Sequence, residues 1–341
     1  MTAPASPLTR RDFARRIAVA GGLTVFTRRA RAADIRMRQF HNQPVESPLH
    51  RRLVEMWARV QRDTAGRVQV DTFPLNNNWK DGDPNPTRLV VDGELEFLAM
   101  SGNGLAALAP AADVQATPYA FRTHEQVYTT LDGELGAYLR DELIAKGLYM
   151  IPGGCFENGF HHFTCATRPI REARDLQGLT IRVPGSEAYQ AFFTQFGAIV
   201  SGTNINNLHR VLASGAVEAQ EDPFDVAELF KLYEVQKYMS VTSHSWSGYN
   251  LIANLGVWRR LPDDIQRTIA RHTRTYTRRQ RQDSVATDRR LRAVLTRRGM
   301  VFNDADVSTF KASLGSFYPK WKAAIGTRAT QLLEAQVGRL G

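Results

Sequence analysis

The stretch GLTIRVPGSEAYQAFF (178–193), continued by ASGAVEAQEDPF (213–224) and FKLYEVQKYMS (230–240), carries the densest structural information in the chain. Gly178–Val183 reads as a short apolar strand that stops at the Pro184-Gly185 turn. A helix from about Glu187 to Phe196, a strand near Ile199, a helix from about Asn207 to Ser214 and a strand over Val217–Gln220 follow. Asp222 then stands where a helix N-cap belongs and Pro223 where a first helical residue belongs, so a helix is expected from Pro223 to about Tyr238. Arg182 lies between the strand and its turn, and a guanidinium there offers a flat fork of donors that fits a carboxylate.

Working outward, the same alternation appears upstream. Ile35–Phe40 and Val68–Phe73 read as strands around a helix from about Ser47 to Thr64 that ends at Ala65-Gly66. Leu75–Pro86 has turn chemistry throughout; a helix containing Leu89 and Val90 and a strand over Leu95–Met100 follow. Alternating strands and helices predict α/β units with largely parallel pairing. A second unit begins near His161, and the chain returns through extended residues Tyr249–Asn254. Two such lobes joined by more than one crossing strand leave a cleft between them and allow a hinge.

The 341 residues carry a formal charge of +10, and its location matters more than its size. Seven arginines against Asp12 lie in residues 1–32, and eleven against Asp283 and Asp288 lie in residues 265–298, so the rest of the chain is net acidic. The second cluster predicts one long amphipathic helix ending at Gly299, with Ile265, Ile269, Tyr276, Leu291, Val294 and Leu295 on its buried side and the arginines solvated. No nucleic-acid recognition motif accompanies the charge. The first cluster reads as an export signal: Arg10-Arg11 precede an apolar run from Ile17 to Phe26, and Ala30-Arg31-Ala32 offers cleavage before Ala33. That run is far shorter than the ~20 residues a bilayer-crossing helix needs. An exported chain that does not itself span a membrane is therefore expected. Cys155 and Cys165 flank Asn158-Gly159, a tight turn or a bend; a hairpin there leaves them out of register, so two free, buried thiols are expected.

DLQGLTIRVPG (175–185), ASGAVEAQEDP (213–223) and LYEVQKYMSVTSH (232–244), with LPDDIQRTI (261–269) more weakly, resemble the substrate-binding proteins of tripartite ATP-independent periplasmic (TRAP) transporters. The resemblance implies a two-lobed periplasmic-binding-protein fold with an interdomain cleft, crossed by a long helix. It implies a signal peptide over residues 1–32, one lobe from 33–159 plus about 247–286, and another from 160–246 plus about 287–341. It further implies a periplasmic receptor that is not an enzyme, binds a small organic acid through Arg182 and delivers it to a membrane permease. Two positions depart from the family. His161 stands where many members have an arginine, and Asp222 replaces the asparagine of their QENP. A histidinium and an aspartate together supply no net positive charge, so the expectation is a monocarboxylate whose tail lies near His161 and Asp222.

Trp79 as a cleft wall or lid, Asn103 and Gln43 at strand ends, and Trp246 and Tyr249 as stacking surfaces complete the candidate ligand-binding set. Core packing is the competing role for both Trp246 and Tyr249. No resident cofactor is expected; a ligand-bridging cation at His161, His162 and Asp222 lacks metal-ligand spacing. A monomer without nucleic-acid partners is the expected state. The competing functions are an exported component that presents its ligand to a sensor, and an exported enzyme, for which the chain has no nucleophile elbow and no phosphate loop.

Overall fold

The computed structural model describes residues 34–79, 84–184 and 186–341; the expected export signal and its cleavage point lie outside the described residues. The described chain opens with strand β1 (Ile35–His41), helix α1 (Pro48–Asp63) and strand β2 (Val68–Phe73). Ser47 caps α1 by accepting from the His50 N–H, and Pro48 occupies a position where no N–H is needed. Leu49, Leu53, Met56, Trp57 and Val60 recur at helical spacing and form its buried stripe. Helix α2 (Pro84–Asp92), strand β3 (Phe97–Ser101), short helix α3 (Gly102–Leu105), helices α4 (His124–Asp132) and α5 (Glu134–Ile144), and strand β4 (Leu148–Phe160) follow.

Beyond β4 the chain builds β5 (His162–Cys165), β6 (Thr180–Arg182), α6 (Glu187–Thr194), β7 (Ile199–Ser201), α7 (Leu208–Ala213), β8 (Ala219–Asp222), α8 (Phe224–Leu229) and β9 (Tyr238–Val241). It returns through β10 (Trp246–Asn254), α9 (Leu255–Arg260) and α10 (Asp263–Arg297), and ends with β11 (Val301–Asp304), α11 (Val307–Lys311), α12 (Leu314–Ile325) and α13 (Thr327–Val337). One sheet has the order β2-β1-β3-β10-β4 and the other β11-β9-β5-β8-β6-β7.

The pairing is more mixed than the alternation predicts. β1 runs parallel to β2 and β3, β6 to β7 and β8, and β9 to β11. β10 is antiparallel to β3 and β4, and β5 to β8 and β9. The reversals fall on β5 and β10, which enter their sheets directly from the crossings instead of by a right-handed helical connection.

Those crossings settle the Asn158-Gly159 segment. It is a bend and not a hairpin: β4 continues to Phe160 and leads into β5 of the other sheet. Gly159 has φ +143, and a Cβ there would lie 2.8 Å from the Pro223 side chain, so the close approach requires glycine. Cys155 and Cys165 thus sit in different sheets, and both are free and buried. The helix expected from Pro223 to Tyr238 is also corrected. It ends at Leu229, Lys231 adopts a left-handed φ of 53, and β9 begins at Tyr238. Asp222 is the last residue of β8 and does not cap; Pro223 takes the cap position without a side-chain bond.

Helix α10 connects two cores. Ile265, Ile269 and Tyr276 pack with α1 residues and β3, β4 and β10 residues, whereas Leu291 and Leu295 pack with α7, α8 and Met239. Val294 is only half-buried. Two of its arginines pair across the surface, Arg271 with Asp63 at 3.2 Å and Arg292 with Asp304 at 3.6 Å, and its Asp283 accepts from Arg52 of α1 at 2.6 Å. Arg281 departs from the solvated-face expectation: it is buried, donating to both Asp132 oxygens at 2.6 and 2.9 Å and to the Cys155 carbonyl. A third, larger core joins β3, α4 and α5 to α6, α12 and α13. Helices α4, α5 and α11 to α13 have no counterpart among the sequence expectations. No helix among the described residues is long and apolar enough to cross a membrane.

Candidate functional site

Strand ends from both sheets meet at the crossings. β1 ends at His41 just before Asn42 and Gln43, β3 ends at Ser101 beside α3, β6 ends at Arg182, and β8 ends at Asp222. Open α/β sheets present ligand-binding groups at such carboxyl ends. Here they enclose a small chamber, about 470 Å³ when its open mouth is counted. Asn42, Gln43, Ser101, Asn103, Asn158, Ser247 and Tyr249 line one side; His161, Arg182, Pro184, Ile205, Asp222 and Val226 line the other. A wider groove runs outward from Ser101, Asn103, Arg182 and Pro184 towards Asp113 and Ser186. Burial pushes the Asp113 carboxyl up to about 7.

Arg182 is 2% exposed. Its Nε donates to the Thr203 carbonyl and its Nη1 to Asp222 Oδ2, both at 2.8 Å. Asp222 is itself buried, and desolvation pushes its carboxyl up to about 6 although Arg182 and His161 favour the ionised form.

Glu221, one residue earlier on β8, points away from the chamber into a different environment. Its Oε2 accepts from His161 Nδ1 at 2.5 Å, from His244 Nε2 at 3.1 Å and from the Tyr189 hydroxyl at 3.1 Å. Burial opposes its ionisation, but the two histidines outweigh it and hold the carboxyl below its ordinary value. His161 is raised in turn: burial lowers it, and the Glu221 charge and hydrogen bond more than compensate. Its other nitrogen, Nε2, lies 2.7 Å from Ser247 Oγ. His161 therefore lines the chamber with both ring nitrogens committed. His162 is held far below the ordinary histidine value by burial; its Nδ1 accepts from the Thr242 and Ser243 N–H groups at 3.2 and 3.1 Å, which fixes it neutral.

Of the eight sequence candidates, Arg182, Asp222, His161, Asn103, Gln43 and Tyr249 are brought together around the chamber. Tyr249 donates to Asn158 Oδ1 at 3.1 Å and accepts from Gln43 Nε2. Trp246 and Trp79 are not brought there. Trp246 is fully buried and donates its indole N–H to Glu157 Oε1 at 2.5 Å, while Trp79 is 40% exposed. Asn42, Ser101, Asn158 and Ser247 are chamber residues that the sequence reading missed. The position of Asn158 before Gly159 at the bend was the available signal for one of them. Among the described residues, no group of three or more His, Cys, Asp or Glu is arranged to hold a metal ion.

Residues 40–324 match the family of bacterial extracellular solute-binding proteins, family 7 (DctP). The 2,3-diketo-L-gulonate-binding periplasmic protein YiaO of Escherichia coli K12 is 28% identical over 259 residues, covering 75% of this chain and 77% of its own. A TRAP periplasmic solute-binding protein from Sulfitobacter, solved with β-D-galacturonate, superposes with a TM-score of 0.83 at 21% identity, covering 89% of this chain and 99% of that one. Another from Sulfurospirillum deleyianum, solved with succinate, gives 0.82 at 21% identity, covering 89% and 98%. At these identities the two structures establish the two-lobed α/β fold.

Proposed function

The chain belongs to the family 7 bacterial extracellular solute-binding proteins, a family of transport receptors and not of enzymes, and we propose that it captures a small hydroxylated monocarboxylate in the periplasm and delivers it to a TRAP membrane permease. Arg182 anchors the ligand carboxylate; the amides and hydroxyls of Asn42, Gln43, Ser101, Asn103, Asn158, Ser247 and Tyr249 receive its hydroxyl groups. One observation carries the reading: among the described residues, Arg182 is the one arginine or lysine lining a chamber otherwise walled mostly by neutral polar groups, with an aspartate beside it. A second ligand carboxylate would meet Asp222, or a His161 whose charge is already matched by Glu221.

Closure joins lobe I (33–159 plus about 247–286) to lobe II (160–246 plus about 287–341), with the bend at Gly159 and the His161–Ser245 backbone contact as the hinge. The closing helices α12 and α13 pack with elements of both and share their core. Export by the twin-arginine signal and cleavage near Ala32-Ala33 belong to the same proposal, as does a monomeric state.

A thermal-shift screen with D-galacturonate, D-erythronate and succinate tests it. A ligand at 100 times its Kd stabilises the fold by about 2.7 kcal/mol. The two monocarboxylates are expected to shift the melting temperature more than succinate. A stronger shift with succinate contradicts the monocarboxylate assignment.

A further inference from the structure

Arg182 has little freedom in how it receives a carboxylate. A guanidinium can hold two parallel hydrogen bonds along its Nε/Nη2 edge or its Nη1/Nη2 edge. The first edge is compromised, because Nε already donates to the Thr203 carbonyl, a main-chain group two residues past the end of β7. The second edge includes Nη1, and Nη1 is held by Asp222 Oδ2 at 2.8 Å. The side chain that occupies this arm is thus itself a carboxylate, buried, facing the same chamber and chemically equivalent to the group the site is proposed to bind.

We infer that Asp222 is a resident carboxylate on the ligand's seat, so that an incoming organic acid either displaces it from Arg182 or crowds against it, and capture draws one proton into the cleft. The inference rests on the organic-acid reading of this site and adds the coupling. Two carboxylates converging on one guanidinium cannot both stay ionised at low cost, so the one without an alternative partner takes the proton. That one is Asp222, because its surroundings are otherwise poor in positive charge. Glu221 precedes it on β8 and Asp225 follows it on α8, and both are acids. His161 at the crossing is committed to Glu221, and His162, opposite Asp222 in the β5–β8 register, is neutral. Tyr189 of α6 gives its hydroxyl to Glu221, and among the described residues Tyr249 is the one titratable group lining the chamber from the first sheet. Nothing among these replaces Arg182. Burial already raises Asp222 to about 6 against the pull of Arg182, and a ligand that takes Arg182 removes the main group holding its carboxyl down.

The test is calorimetric titration of the full chain with D-galacturonate, D-erythronate and succinate in phosphate and in Tris at about pH 7.5. The two buffers differ in protonation enthalpy, so the difference in observed heat counts protons. The expected uptake is about one proton per ligand bound, with affinity falling about tenfold per pH unit above neutrality. Asp222→Asn, which keeps the shape and a hydrogen-bond acceptor, is expected to bind with no uptake, with a flat pH profile and more tightly than the parent above neutrality. Binding by the parent chain without proton uptake overturns the inference and needs no variant. Equal uptake by Asp222→Asn overturns the assignment to Asp222. Failure of all three acids to bind either protein overturns instead the organic-acid reading on which the inference rests.

Discussion

Glu221 and Asp222 are neighbours on one strand, and they have opposite environments. The alternation of β8 sends Glu221 behind the chamber wall, where two histidines and a tyrosine converge on one of its oxygens. It sends Asp222 into the chamber, where one arginine holds it and burial opposes its charge. The first carboxylate is held ionised by several donors and fixes the crossing strands. The second is held by a single group that the ligand also needs. Identical chemistry one residue apart thus yields a structural charge and an adjustable one, and the donor count on each side decides which is which.

The most severe way to break this contrast is to remove the anchor itself. Arg182→Gln combined with Asp222→Asn removes both charges and leaves neither stranded, and it is expected to abolish binding of any carboxylate ligand, by at least about 100-fold in titration calorimetry. Binding retained within tenfold would place the anchor elsewhere. Next comes Glu221→Gln, which leaves the His161 charge without its partner. A loss of about 3–5 kcal/mol is expected, a fall of order 10 °C in melting temperature. A fall of only a degree or two would mean that the histidine cluster does not stabilise the crossing.

A smaller effect sharpens the other side. Asp222 titrates higher in the fold, at about 6, than its ordinary 3.8, so its ionisation costs stability; that cost is absent below the ordinary value and complete above about 6. The melting temperature of Asp222→Asn minus that of the parent should therefore rise between about pH 4 and pH 6 and then level off. A difference that falls over this window would mean that Arg182 holds the ionised form more strongly than burial opposes it. The smallest effect is expected from Trp79→Ala. Its side chain is 40% exposed and does not line the chamber, so affinity should change less than about threefold in calorimetry. A larger loss would restore Trp79 as a wall of the site.

The sequence made part of this legible. The strand ending at Arg182, the turn after it and the change from asparagine to aspartate at 222 all lie in local patterns, and they located one wall of the chamber. What Asp222 touches was not local. Its arginine is 40 residues away, and Asp222 is not the helix cap because the strand includes it and the cap position falls on Pro223. The Glu221 cluster joins residues 23, 32 and 60 positions apart and left no periodic trace. Trp246 shows the converse. An aromatic on a returning strand suits a ligand or a core equally, and the Glu157 acceptor that draws it into the core is 89 residues distant.

The central claim is that a single ligand carboxylate on Arg182 carries recognition. It is tested most directly by titrating the unmodified chain with matched pairs, D-galacturonate against D-galactose and D-erythronate against erythritol. Each pair keeps the hydroxylated skeleton and differs in the acid group. The account predicts saturable binding for at least one acid and none for its neutral counterpart; binding of a neutral sugar as tightly as its acid would contradict it.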